Sequence, residues 1–210
     1  MNQQQYWDSV AGRKVFTSML NIDLFRKYAK KEYSIIDIGC GYGRILAELY
    51  KLGFWNLYGI DSSSSMIESA KKLAIPCELK VADAVSSGYT SEKFDVVILF
   101  SLLTCLYEND KQNEVIKESW RILKPKGIIV VDDFLLNSDE RNLKRYYEYY
   151  KKYNIFGVFE LPEGVILRHH SLCYIIHLLH EFSSLHFEQY RKSTMNGHMS
   201  NSFLFMGQKP

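Results

Sequence analysis

The sequence predicts an α/β fold, a mostly parallel sheet with helices on both faces, and three observations carry that prediction. Short β-branched runs alternate with longer helical patterns, the rhythm of parallel strands joined by crossover helices. One run, Val96-Val97-Ile98-Leu99-Phe100, is apolar at every position, as in a central strand buried on both faces. The first run, Ile35-Ile36-Asp37-Ile38, passes directly into Gly39-Cys40-Gly41-Tyr42-Gly43 and then a helical pattern.

Taken in order, the strands fall at Ser34–Ile38, Asn56–Ile60, Glu78–Val81, Asp95–Phe100 and Gly127–Asp132. Helices near Arg44–Leu52, Ser64–Leu73 and Asp110–Leu123 lie between them. After Asp133 the rhythm breaks. A Tyr- and Lys-rich helix, Leu143–Tyr153, leads to a hairpin, Phe156–Leu161 and Val165–His169, turning at Pro162-Glu163-Gly164. A helix over Leu172–Phe182 precedes two final strands, Leu185–Tyr190 and Ser202–Gly207. The stretch from about Asn137 to His170 reads as a helix-plus-hairpin insertion after the fifth strand, and such additions usually carry specificity.

A chain of 210 residues predicts a single domain. Lys and Arg number 26 against 24 Asp and Glu, a balance too even to draw the chain onto nucleic acid or an anionic membrane. The longest apolar stretch, Val96 to Tyr107, is interrupted by Ser101 and Thr104 and falls short of the ~20 residues a bilayer span needs. The opening MNQQQYWDS has neither the basic start nor the apolar run of a secretory signal. Cys40, Cys77, Cys105 and Cys173 lack metal-ligand spacing, and their apolar neighbourhoods predict buried thiols in a reducing compartment. A cytoplasmic protein without a metal site is expected.

The chemistry begins at the glycine loop. Gly39 and Gly41 permit backbone angles and a close ligand approach that a Cβ would forbid, and the helix beyond offers free N–H groups at its positive end. A dinucleotide fingerprint would place its third glycine at position 44, which is Arg44; here Gly43 comes one residue early. Asp61 closes the second strand, where a carboxylate can accept both ribose hydroxyls, and Asp83 follows the third. Simpler roles stay open: the glycines as a plain strand-to-helix turn, Asp61 as a helix N-cap, Asp83 as ordinary loop chemistry, and Met66 as helix packing.

These residues resemble the class I S-adenosylmethionine-dependent methyltransferases, specifically the small metal-independent ones. The resemblance covers Asp37 through Phe134 closely and the last two strands loosely. It implies a Rossmann-like sheet of seven strands, mostly parallel with the last antiparallel. Asp37-Ile-Gly-Cys-Gly-Tyr-Gly43 looks like the family's first motif, implying Asp37 near the methionine ammonium through water and Gly39, Cys40, Gly41 and Gly43 along the methionine portion. Tyr58-Gly-Ile-Asp61-Ser-Ser-Ser-Ser-Met66 looks like the second, implying Asp61 on the ribose and Ser62 and Met66 against the adenine. Ala82-Asp83-Ala84 looks like the third, with Asp83 and Ala84 at the adenine edge. Phe94 through Ser101 matches the fourth strand and its exit, so Phe100 and Ser101 face the methyl group. Arg121-Ile-Leu-Lys-Pro-Lys-Gly127 matches the turn into the fifth strand, with Lys126 where the family usually has glycine. The cofactor implied is S-adenosylmethionine, with S-adenosylhomocysteine as product and no metal. Within the single domain, residues 1–33 would form an N-terminal helical lid, 34–136 the cofactor core, 137–170 the substrate-side insertion and 171–210 the final helix and strands.

The acceptor expected is a small molecule, with no nucleic acid and no membrane; a homodimer stays open. Where amino-methylating nucleic-acid enzymes carry an Asn/Asp-Pro-Pro-aromatic loop, this chain reads Ser101-Leu102-Leu103-Thr104. Pro76-Cys77 precedes the third strand instead of following the fourth, which sets it apart from the nucleophile of cytosine-carbon enzymes. Asp132-Asp133 with Asn137 lacks the third carboxylate of a catechol-type magnesium site. Tyr6-Trp7-Asp8 resembles the aromatic start of a helix that closes over the cofactor, or else packs on the sheet. Arg168-His169-His170 ends the hairpin beside the expected substrate mouth; His169 or His170 could act as a base near neutral pH, or simply precede a helix capped by Ser171. Tyr146, Tyr147, Tyr149, Tyr150 and Tyr153 are too dense on one helix to be all buried. With Lys144, Arg145, Lys151 and Lys152 among them, that surface suits an anionic or aromatic substrate, or a partner, and Tyr150 and Arg168 are the substrate-contact candidates beside Tyr6 and Trp7.

Overall fold

In the computed structural model, residues 3–13, 16, 19–194 and 197–210 are described; Met1 and Asn2, the start of the expected lid, lie outside them. Seven strands form one sheet: β1 (Ile35–Ile38), β2 (Leu57–Asp61), β3 (Glu78–Val81), β4 (Phe94–Phe100), β5 (Leu123–Phe134), and, beyond the hairpin strands, β8 (Ser183–Ser193) and β9 (Met199–Gln208). The strand order is β3-β2-β1-β4-β5-β9-β8. Strands β1 to β5 pair in parallel, and β9 runs antiparallel to both β5 and β8. The expected α/β sheet with an antiparallel last strand is the one observed.

Alternate residues of each central strand feed opposite faces. Ile36, Val97, Leu99, Ile129 and Val131 join one apolar cluster, whereas Ile35, Val96, Ile98, Ile128 and Val130 join the other. The first cluster is covered by α5 (Asn109–Ile122) and α7 (Leu172–Leu178); the second by α2 (Ile22–Tyr28), α3 (Arg44–Lys51) and α4 (Ser64–Lys71). Every residue from Val96 to Leu99 is fully buried, so the all-apolar run does mark a central strand.

The boundaries differ in instructive ways. Strand β5 starts at Leu123, four residues ahead of the expected Gly127, because Leu123 already pairs with Phe94 before a register shift. In that shift Lys126 takes φ +64, the left-handed conformation that favours glycine. Helix α7 stops at Leu178, short of Phe182, and a 3-10 turn over Leu103–Cys105 follows β4. Cys40 is buried as expected, but Cys77 and Cys105 are half-buried and Cys173 is exposed on α7, because only the 175 and 178 positions of that short helix face the core.

The insertion consists of α6 (Glu140–Tyr153) and a two-stranded hairpin, β6 (Val158–Glu160) and β7 (Ile166–Arg168). Asp139 caps α6 by accepting the Asn142 N–H, so the helix begins three residues earlier than Leu143. Gly157 lets β6 pass close to the other strand: its carbonyl accepts the His169 N–H at 2.9 Å. At φ +99 a Cβ there would lie 2.1 Å from the His169 carbonyl oxygen. Past β7, His170 bridges to Leu135, tying the hairpin to the carboxyl end of β5. At the other side α1 (Gln3–Val10) is fastened to the hairpin, since the Gln3 amide donates to the Ile166 carbonyl and accepts the Ile166 N–H.

Candidate active site

Strand order reverses between β1 and β4, and in open α/β sheets that point leaves a crevice at the carboxyl ends of the strands. There the structure has a cavity of about 710 Å³. It is walled on the sheet side by the ends of β1, β2, β3 and β4 and roofed by α1, α6 and the β6–β7 hairpin.

The cofactor candidates converge on the sheet side. Asp37, Gly39, Cys40, Gly41, Asp61, Ser62, Met66, Asp83, Ala84, Phe100 and Ser101 all line the cavity. Gly43 does not; it is the α3 N-cap, where a Cβ would press on Ala70 of α4, so its role is helix packing. Asp61 organises the loop, with Oδ2 accepting the Gly41 N–H at 2.9 Å and Oδ1 accepting the Ser63 N–H at 2.9 Å. Those bonds occupy two of a carboxylate's roughly four acceptor positions and leave the others free. The cap of α4 is Ser63, which accepts the Met66 N–H and donates to Asp8 Oδ1 of α1 at 2.6 Å.

Asp37 is 2% exposed, and its Oδ1 has no hydrogen-bond partner among the described residues. Burial pushes its pKa up to about 7; Arg44 opposes that shift and Asp61 adds to it. Arg44 also lines the cavity, with its guanidinium 5.6 Å from the Phe100 ring centre and its buried Nε unpartnered among the described residues. An orphaned buried carboxylate oxygen and an orphaned buried guanidinium N–H beside a glycine loop suit a ligand with an ammonium and a carboxylate. Gly41, at φ +54, leaves the loop open where a side chain would meet Phe16 at 3.1 Å. The donor set therefore fits S-adenosylmethionine.

The acceptor-side candidates divide. Trp7 and His169 line the cavity; Tyr6, Tyr150, Arg168 and His170 do not. Tyr6 is buried in a small apolar cluster with Val10, Met66 and Val165. Tyr150 is exposed beside Phe156 on the outer face of α6. Strand periodicity separates the rest, because alternate residues face opposite sides. Leu167 and His169 turn to the cavity, whereas Arg168 turns away to the Tyr107 carbonyl and Asn109 Oδ1, and His170 is buried against Gln112 and Tyr174. His170 is held neutral, its pKa lowered by burial to about 3.

The hydrogen bonds of His169 hold its ring in place. Asn137 Oδ1 accepts the Asn201 N–H, so its amide nitrogen is the atom facing Leu135 O, Ser200 Oγ and His169 Nδ1. Tyr146 O–H lies 2.6 Å from the same Nδ1. Burial and the nearby positive charge of Arg145 hold the pKa of this ring well below its usual value, so it stands neutral in the cavity lining.

Three features escaped the sequence. Arg141 of α6 lines the cavity, beside the Arg145 that the sequence already marked within a basic and aromatic surface. Phe16 stacks on Tyr42 and packs edge-on against Trp7, closing the loop side. Under Ser101, Lys192 and Asp132 form a buried ion pair, joined by the Tyr190 hydroxyl. Asp133 accepts the Thr104 and Phe134 N–H groups, so neither neighbouring carboxylate is held toward a metal. Among the described residues, no three His, Cys, Asp or Glu side chains are grouped to hold one, and no helix is long and apolar enough to cross a membrane.

Residues 36–131 match the methyltransferase domain family. Phosphoethanolamine N-methyltransferase 1 of Zea mays is 32% identical over 128 residues, covering 58% of this chain and 23% of that enzyme. The 2-methyl-6-phytyl-1,4-hydroquinone methyltransferase of Synechocystis is 35% identical over 114 residues, covering 51% of this chain and 34% of that protein. The chain spans less than half the length of these curated relatives. A crystal structure of a SAM-dependent methyltransferase from Methanosarcina mazei superposes with a TM-score of 0.85 at 26% identity, covering 92% of this chain and 99% of that one.

Proposed function

The chain belongs to the class I S-adenosylmethionine-dependent methyltransferases, and from that premise we propose that it transfers a methyl group to an O, N or S nucleophile of a small-molecule acceptor. The observation that carries the reading is the switch-point junction, where the unpaired Asp37 oxygen, the glycine loop and Asp61 meet in the wall of a roofed cavity. When bound, S-adenosylmethionine supplies a methyl group already activated by its sulfonium. Asp37 would hold its ammonium through water, and Arg44 would donate to its carboxylate. Asp61 uses its remaining lone pairs for the ribose hydroxyls. Met66 and Ala84 give the adenine an apolar wall, and Phe100 and Ser101 border the space between cofactor and acceptor. Helix α1 and the hairpin exclude water, so the chain's main contribution is alignment in a dry site. The neutral His169 ring borders the acceptor's space. The four cysteines are free thiols, which suits the reducing cytoplasm as the compartment.

Calorimetry with S-adenosylhomocysteine tests the cofactor step, and the absence of heat at millimolar ligand on folded protein would sink it. Isotopically labelled S-adenosylmethionine and an acceptor panel then test transfer. Formation of S-adenosylhomocysteine with label on the acceptor is expected. Cofactor binding without any turnover would point to a non-catalytic cofactor-binding subunit, and a nucleoside product other than S-adenosylhomocysteine to another group transfer.

A further inference from the structure

The cavity has two chemically different sides. Its sheet side carries the carboxylates Asp37, Asp61 and Asp83 with Arg44 among them, while the insertion side carries Arg141 and Arg145. These arginines stand four residues apart on α6 and so share one helix face. Arg145 lays its guanidinium over the Phe159 ring, 3.4 Å from the centre, and donates to Asn142 Oδ1. Its Nε is buried without a partner, and no carboxylate pairs with it among the described residues. Among the described residues Arg141 Nε has only Asp139 at 4.0 Å, and that carboxylate is committed to the cap of α6. Glu163, on the hairpin turn, is exposed and has an interaction of its own. Beside the arginines in the cavity lining stands the neutral ring of His169. Burial pulls the Arg145 pKa down from its ordinary value, the sign of a cation short of counter-charge.

We infer that the methyl acceptor carries an oxyanion, a carboxylate or a phosphate monoester, held by Arg145 and Arg141 with the His169 ring beside them. Planar guanidinium groups match such anions with paired hydrogen bonds. The acceptor's apolar body lies against Phe159 and Leu161, which line the cavity from the hairpin. The cofactor's own carboxylate does not compete for this pair, because Arg44 on the sheet side provides for it. The inference rests on the methyl-transfer reading of the cavity and names the acceptor class for it.

The test titrates the full chain, saturated with S-adenosylhomocysteine, with benzoate, phenyl phosphate and benzyl alcohol at fixed ionic strength in chloride. At least one anion is expected to bind about tenfold or more tightly than the alcohol, a gain typical of charge-assisted hydrogen bonds. Arg145→Gln should abolish that preference and leave S-adenosylhomocysteine affinity within about twofold, because the cofactor contacts lie elsewhere. Benzoate ahead of phenyl phosphate would assign a carboxylate, and the reverse order a phosphate. Arg141→Gln, at a more exposed position, gives the same readout if Arg145→Gln fails to fold. Equal binding by all three probes, no binding by either anion, or a preference that survives both substitutions overturns the inference. Failure of S-adenosylhomocysteine to bind would instead defeat the methyl-transfer reading, and the same probes on the ligand-free chain would still decide the anion site.

Discussion

Lowering the pH from 8 to 6 is expected to weaken S-adenosylhomocysteine binding about tenfold through one carboxyl group. Asp37 is raised from 3.8 to about 7 by burial, only partly offset by Arg44, and the residue lines the cavity with one carboxyl oxygen unpartnered among the described residues. With a pKa of about 7, roughly nine in ten molecules carry the ionised form at pH 8 and one in ten at pH 6. An ammonium that binds only the carboxylate form follows that fraction, a loss of about 1.4 kcal/mol. The ligand-free protein should show the opposite sign. Its native state keeps the Asp37 proton up to about pH 7, whereas the unfolded chain releases it near 3.8, so this group's contribution to stability falls as pH rises across that window. Asp37→Asn removes the penalty. It should raise the ligand-free Tm at pH 8 while lowering cofactor affinity there and flattening its pH dependence. Titration calorimetry at pH 6, 7 and 8 on parent and variant, with scanning calorimetry of the ligand-free forms, reads both effects. An equal pH slope in parent and Asp37→Asn, or a flat parent, would refute the reasoning.

Asp61→Ala should weaken S-adenosylhomocysteine by at least about tenfold and lower Tm by a few degrees, because the Gly41 and Ser63 N–H groups lose their acceptor; affinity equal to the parent's would reduce Asp61 to a loop cap. Gly157→Ala should cost more than about 2 kcal/mol in a denaturant titration, since its Cβ would collide with the His169 carbonyl at a positive φ. A neutral result would show that β6 yields freely. Lys192→Met leaves Asp132 buried and unpaired and should cost about 3–5 kcal/mol, most of it recovered when Asp132 is changed to Leu as well. If the double variant is as unstable as the single, the ion pair is not the cause.

What the sequence made legible was local. The strand-glycine-helix run, the all-apolar fourth strand and the carboxylates ending β1 and β2 each lie within a few consecutive residues. Helix phase was harder to read. Starting α6 at Leu143 hides Arg141 and puts weight on Tyr150; the Asp139 cap shifts the start to Glu140 and turns Arg141 and Arg145 inward together. Asp139 followed three residues later by Asn142 was a signal in plain view. The hairpin was placed correctly, yet its facing was not, and the two-residue period that puts His169 inward also turns Arg168 and His170 outward. Lys192 and Asp132 lie 60 residues apart, and no local pattern links them. Neither does any single-residue signal show that Asn137 and Tyr146 hold the His169 ring.

The placement of β9 bears on how this protein could be dissected. The stretch that matches the methyltransferase domain family stops at Val131, inside β5. In the whole chain the outer edge of β5 is covered from Ile128 to Phe134 by β9, itself sandwiched against β8. A fragment ending there would present a bare ladder of backbone donors and acceptors flanked by Ile129, Val130 and Val131, an invitation to sheet-to-sheet association. The cofactor residues and the strand that seals their sheet are thus separated by the insertion, and a minimal S-adenosylmethionine binder cut from this chain should precipitate unless a β8–β9 peptide is supplied in trans.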